Sequence, residues 1–241
     1  MATALPPSPS PSGSIDIGRI FGFVIEDPEW VKKVLIGAAF TLASSFIIGI
    51  FFVMGYWVRL VRNVAAGVAR PLPTWDDLGG IFKDGLTAAG VAFVHAFGIL
   101  FVLGAIGCAG GMMIAGLSGG GGRRNPADEI LAAMGGLGIA GLYLALIVLM
   151  LLLQLYLPAA LTRVALRGDF ATGFDWRANF EFIKANVANY LLSVVFYFVA
   201  SFAAQFGVIL CCVGVFPLAF WAYLVLGYGL GETVRLSPRP V

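Results

Sequence analysis

Charge is what this chain has least of. Asp, Glu, Lys and Arg make up 12% of its 241 residues, against about a quarter in soluble domains. It has one histidine, His95, and three cysteines, Cys108, Cys211 and Cys212. No cysteine stands at metal-ligand spacing from the histidine, so neither a zinc site nor a disulfide framework is implied. The cysteines read instead as small apolar residues at helix contacts. No Asp or Glu lies inside a long apolar run, which leaves a proton relay without members. The glycines of 118–122 are followed by no Gly-Lys-Ser/Thr and preceded by no strand, so they are not a phosphate loop. No basic segment followed by an apolar one opens the chain, and no cleavable signal peptide is expected. One histidine, apolar-flanked cysteines and scattered serines do not supply a nucleophile with a base and an orienting partner. An enzyme is therefore not expected, nor a metal, a cofactor or a nucleic-acid partner.

Apolar sequence is what the chain has in excess: 60% of residues are hydrophobic. Four uncharged stretches, 34–58, 85–122, 130–162 and 185–231, each exceed the roughly 20 residues that a helix needs to cross a bilayer core. The last would be about 70 Å long as one helix and must fold back, with Cys211-Cys212-Val213-Gly214 as the expected corner. The reading is an all-α, polytopic membrane helical bundle of about five spans, near 34–57, 86–106, 132–157, 188–208 and 214–230. Residues 1–14, rich in Pro, Ser and Ala, read as a disordered tail. Residues 15–231 read as a single membrane domain and 232–241 as a polar tail. Within the first part, IDIGRIFGFVIEDPEW is too short to span and reads as an interfacial helix. Asp27-Pro28 reads as a helix start, with Trp30, Lys32 and Lys33 at headgroup depth.

Charge returns in two elbows between spans. The first, GYWVRLVRNVAAGVARPLPTWDDLGGIFKDG at 55–85, is echoed about a hundred residues later by LPAALTRVALRGDFATGFDWRANFEFIKAN. At a fixed offset of 101 positions, Arg62 meets Arg163, Gly67 meets Gly168, Trp75 meets Trp176 and Lys83 meets Lys184. This is a tandem two-span repeat, repeat one about 34–117 and repeat two about 130–210, with the last span about 214–230 standing outside it. In the first elbow a basic helix end leaves the membrane, Gly67 and Pro71-Leu72-Pro73 break it, and an amphipathic interfacial helix follows; the second elbow carries a surface helix with Trp176, Phe180 and Ile183 on its apolar side. Those helices are expected to be capped by Thr74 and Asp175, with Trp75 and Trp176 anchored at equal depth.

Three sets of candidate residues emerge. Arg59, Arg62, Arg163 and Arg167 form two pseudo-symmetric pairs that could face lipid headgroups or an anionic ligand, or simply set topology by snorkelling. His95, Gln154 and Gln205 are polar groups inside apolar runs, where an imidazole could hydrogen-bond a glutamine across helices or mark a functional site. Asp76 and Asp77 could hold a cation or complement a helix dipole. Ten basic residues on the elbow side against five elsewhere place the elbows and C-terminus in the cytoplasm. On this count the N-terminal segment is external, unless the first span is re-entrant.

The segments EDPEWVKKVLIGA, GYWVRLVRNVAAG, LPTWDDLGGIFKDGL and YLPAALTRVALRGDFATGFDW resemble a family of prokaryotic integral-membrane proteins catalogued as a domain of unknown function, number four thousand and thirteen. The resemblance runs from about residue 20. Its signature here is Gly55, Tyr56, Arg59, Gly67, Leu72, Pro73, Trp75, Asp76, Asp77, Asp84 and Gly85. The resemblance implies an integral membrane protein and no particular activity. The expected function is a non-enzymatic structural or interaction module of the membrane, in contact with lipid and with itself or a membrane-protein partner. The competing expectation is a small permease or channel with a mid-membrane polar site around His95.

Overall fold

The computed structural model describes residues 13–118, 126–209 and 213–238. Among them there are eight α-helices and no strand: α1 (Ile17–Gly22), α2 (Trp30–Ala43), α3 (Ile48–Ala65), α4 (Leu78–Ser118), α5 (Pro126–Arg167), α6 (Trp176–Ala185), α7 (Val187–Gln205) and α8 (Val215–Arg235). The described chain is the all-helical bundle that its composition requires. Five of its helical stretches are long and apolar enough to cross a membrane: Ile48–Ala65, Leu78–Met112, Ala133–Arg167, Val187–Ile209 and Val215–Arg235. Most of the 1–14 tail, the Cys211–Cys212 part of the expected corner, the stretch 119–125 and the end of the polar tail lie outside the described residues.

The number of spans agrees with the sequence reading, but the first is placed differently. Residues 34–57 are not one helix. A short 3-10 turn at Ser44–Phe46 follows α2, and Ile47 takes a φ of 70°. The chain then returns as α3, packed against α2 so closely that a Cβ on Gly49 would lie 2.0 Å from the Phe40 carbonyl oxygen. With 14 residues, α2 is about 21 Å long, short of the core thickness. The first apolar stretch is thus a helical hairpin of α2 and α3 rather than one helix.

The helices divide into two compact units, one of residues 1–91 and 158–241 and the other of 92–157. In the first unit, α8 packs against α2, α3 and α7. Its small residues let α3 approach: Gly227 faces Trp57 and Leu60, and Gly231 faces Val64. Small residues at helix contacts are how apolar helices associate when lipid offers no hydrophobic drive. The α7–α8 hairpin closes where Gly207 meets Gly214. Helix α1 packs on the rest of this unit. Ile20 is fully buried, and Phe23 stacks on Tyr228 of α8 with ring centroids 4.3 Å apart. In the second unit, the middles of α4 and α5 turn apolar side chains outward, among them Phe93, Phe97 and Phe101 in a stacked row.

Candidate functional site: two charged elbows and the cavity beside them

Elbow one starts where α3 ends. Gly67 has φ +73°, a left-handed conformation that favours glycine. Its N–H donates to the Val64 carbonyl and the Val68 N–H to the Asn63 carbonyl, the two bonds of a Schellman stop. The loop then turns inward. The indole of Trp75 is 9% exposed, donates to the Lys33 carbonyl at 3.0 Å and stacks between Tyr56 and Phe40 at 4.3 and 5.0 Å. The Tyr56 hydroxyl donates to the Pro73 carbonyl at 2.9 Å. Lys33 is buried within the protein. Its Nζ donates to Asp27 at 2.7 Å and to the Leu72 carbonyl at 3.1 Å. Burial alone would raise the Asp27 carboxyl; hydrogen bonds from Lys33 and the Glu29 N–H outweigh it and hold it below its ordinary value.

The cap of α4 is Asp77 rather than Thr74: Asp77 Oδ1 accepts from the Gly80 N–H at 2.9 Å. Drawing Trp75 into the core delays the helix by about a turn. No separate surface helix 75–84 forms, because α4 continues through it. Where α4 crosses α3, the backbones touch. A Cβ on Gly55 would lie 1.8 Å from the Ile81 carbonyl oxygen, and one on Gly85 1.6 Å from that of Phe51. Across this contact Arg59 binds Asp77 at 2.7 Å and Asp84 at 3.1 Å, and Arg62 binds Asp84 at 2.9 Å. The bond from Arg59 and that from the Gly80 N–H hold the exposed Asp77 carboxyl below its usual range.

Elbow two repeats the stop and little else. Gly168 has φ +71°, and its N–H makes a single bond to the Val164 carbonyl. The Ala165 carbonyl, whose counterpart in elbow one accepts the glycine N–H, here accepts from Arg62 Nε instead. Arg163, the counterpart of Arg62, is buried and donates to Asn179 Oδ1 at 2.9 Å. Asp175 caps α6 as expected, accepting from the Ala178 N–H at 3.1 Å. Trp176, however, is 68% exposed. The two tryptophans therefore do not occupy equivalent positions. Phe170, Phe174 and Phe180 are exposed beside it, with Arg167, Arg177 and Lys184 at the surface of the same elbow.

Of the four candidate arginines, the structure gives Arg59, Arg62 and Arg163 partners within the protein, while Arg167 is exposed. His95 lies against the ring of Tyr156 at 5.5 Å. Gln154 and Gln205 are exposed, and no hydrogen bond between either and His95 is found among the described residues. Asp76 is exposed and Asp77 is turned toward Arg59, so the two do not converge. Among the described residues, no group of three or more His, Cys, Asp or Glu gathers as a metal site.

Sequence reasoning missed one feature. Between α1 and the end of α8 lies a cavity of about 240 Å³, lined by Ser14, Asp16, Arg19, Tyr228, Glu232 and Arg235 among others. A smaller one on the other side of Arg19, Tyr228, Glu232 and Arg235 reaches Gly67 and Pro71 of elbow one. His95 lines neither. Glu232 is 8% exposed and is gripped by Arg235 through three contacts of 2.6–3.1 Å. An acid three residues before an arginine, at the end of an otherwise uncharged helix, was the available signal.

The sequence model of a protein family, described as "Protein of unknown function (DUF4013)", matches residues 39–213. The match is narrower than the resemblance read from the sequence: it opens within α2, takes in both elbows, and stops before α8. No curated protein and no solved structure matches the chain significantly.

Proposed function

The chain belongs to the DUF4013 family, and from that premise we propose that it is a non-enzymatic structural or interaction module of the membrane, with its charged end in the cytoplasm. The observation that carries the orientation is the α2–α3 hairpin. Lys33 at the start of α2 touches Leu72 of elbow one, Arg62 of elbow one reaches Ala165 of elbow two, and Arg235 at the end of α8 lies beside Gly67. The three basic residues of the N-terminal segment therefore join the elbow side, leaving only Arg123 and Arg124 in the loop between the repeats. The difficulty of an external, basic N-terminus disappears, and the bias of positive charge becomes almost complete. Support for an interaction role comes from the outward apolar side chains of the second unit, which suit lipid or another transmembrane helix.

Two-sided labelling of single cysteines near residues 14, 76 and 177, in a background without native cysteines, tests the orientation. All three should react from the cytoplasmic face, and reaction of 76 and 177 from opposite faces would sink the proposal. Native mass measurement after detergent extraction tests the interaction role, which a strict monomer without retained lipid or partner would contradict.

A further inference from the structure

We propose that the cavity between α1 and the end of α8 binds a phosphoethanolamine-type headgroup, with the phosphate on Arg19 and the primary ammonium on Asp16. The inference rests on the membrane reading above and adds a ligand to it. The larger cavity is lined by two cations, Arg19 and Arg235, and two anions, Asp16 and Glu232, so its formal charge cancels. A net anion gains little there, whereas a ligand carrying both signs can be matched at both ends.

The partners already made decide which groups are available. Glu232 and Arg235 are committed to each other. Among the described residues, the one ion pair of Arg19 is with Glu26, at 3.7 Å, with 44% of its side chain exposed. Asp16 uses Oδ1 to accept from the Gly18 and Arg19 N–H groups, which leaves Oδ2 to accept from an ammonium. Tyr228 is 3% exposed and its ring is fixed on Phe23, yet its hydroxyl has no hydrogen-bond partner among the described residues. It lines both cavities. The hydroxyl is open to the cavity, where it can donate to a phosphate oxygen. A primary ammonium can donate to Asp16, which a quaternary choline cannot. The cavity sits where α8 leaves the apolar zone, at headgroup depth, and none of its lining residues lies within the family match.

The test uses full-length protein in detergent. Thermal melting and native mass spectra are recorded with phosphatidylethanolamine, phosphatidylcholine and phosphatidylglycerol of the same acyl chains, and with water-soluble glycerophosphoethanolamine. Phosphatidylethanolamine should be retained about tenfold more than phosphatidylcholine, the value of one charge-assisted hydrogen bond. Asp16→Asn keeps an α1 cap, since Asn serves as well, and should abolish that preference; Tyr228→Phe should weaken retention. If glycerophosphoethanolamine binds with the same dependence on Asp16, the site holds and its ligand is a free headgroup. Equal retention of all three lipids, or an Asp16→Asn variant that keeps the preference, overturns the proposal. Recovery of the protein without detergent would instead overturn the membrane reading.

Discussion

The two elbows share a sequence pattern at an offset of 101 positions and put it to opposite uses. Both stop a helix at a left-handed glycine, and both place a basic residue one and a half turns before it. Elbow one then folds its tryptophan inward and neutralises its arginines with Asp77 and Asp84. Elbow two leaves its tryptophan and three phenylalanines outside and buries only Arg163. Ten of the eleven signature residues belong to elbow one or its helix crossing and have visible structural work there; only Asp76 does not. The signature therefore marks a packing knot. The surface through which the protein meets other molecules is sought more profitably where the pattern is looser.

The widest gap between the elbows should appear at the tryptophans. Trp75→Ala should cost about 3–5 kcal/mol, as for a buried aromatic, whereas Trp176→Ala should stay within about 0.5 kcal/mol in detergent; thermal melting of both variants decides, and equal losses would erase the contrast. Next comes the helix crossing. Gly55→Ala should cost about 3 kcal/mol because a backbone, not a flexible side chain, stands in the way, while Tyr156→Ala at the equivalent position should not reproduce the loss of elbow one's protection in hydrogen exchange. Asp84→Asn should cost about 1–2 kcal/mol by freeing two partly buried arginines. It should also raise exchange in 78–85 without affecting 176–185.

Acid should separate the elbows as well. Because folding lowers the Asp27 pKa, its clamp contributes fully above the ordinary value of 3.8 and is lost as pH falls below it. Limited proteolysis between 68 and 77 should therefore increase below pH 3.8, and Asp27→Asn should remove that dependence. The smallest effect is at the caps. Asp175→Ala should cost about 1 kcal/mol, and Thr74→Ala should change nothing measurable, since Thr74 does not cap α4; a loss at Thr74 would restore the symmetric picture.

The sequence shows the number of long apolar helices because charge-free runs longer than a bilayer crossing admit few other structures. It shows the stop at Gly67, and the offset of 101 positions sets Gly168 at the matching place. The break at 44–47 was not legible. It contains no glycine or proline, and Ile47 adopts its positive φ under the packing of α2 on α3 rather than by local preference. Trp75 was misplaced for a related reason. Local pattern gives an indole beside acids at a helix start, and only the distant Lys33 carbonyl and the Tyr56 ring say that it faces inward. The α1–α8 cavity unites residues about 210 positions apart, beyond any local pattern.

The turn of the α2–α3 hairpin also bears on how the protein is made. Neither that turn nor the one between α7 and α8 contains a charged residue anywhere in 34–58 or 185–231. Moving a charged side chain through the bilayer centre costs about 2.5–3.5 kcal/mol even on the more lenient scales. Each hairpin can thus enter as a folded pair from the side on which it was synthesised, with no ion to carry. On the proposed orientation, the ionised side chains that must travel are confined to the short stretch 123–129, and insertion work concentrates there.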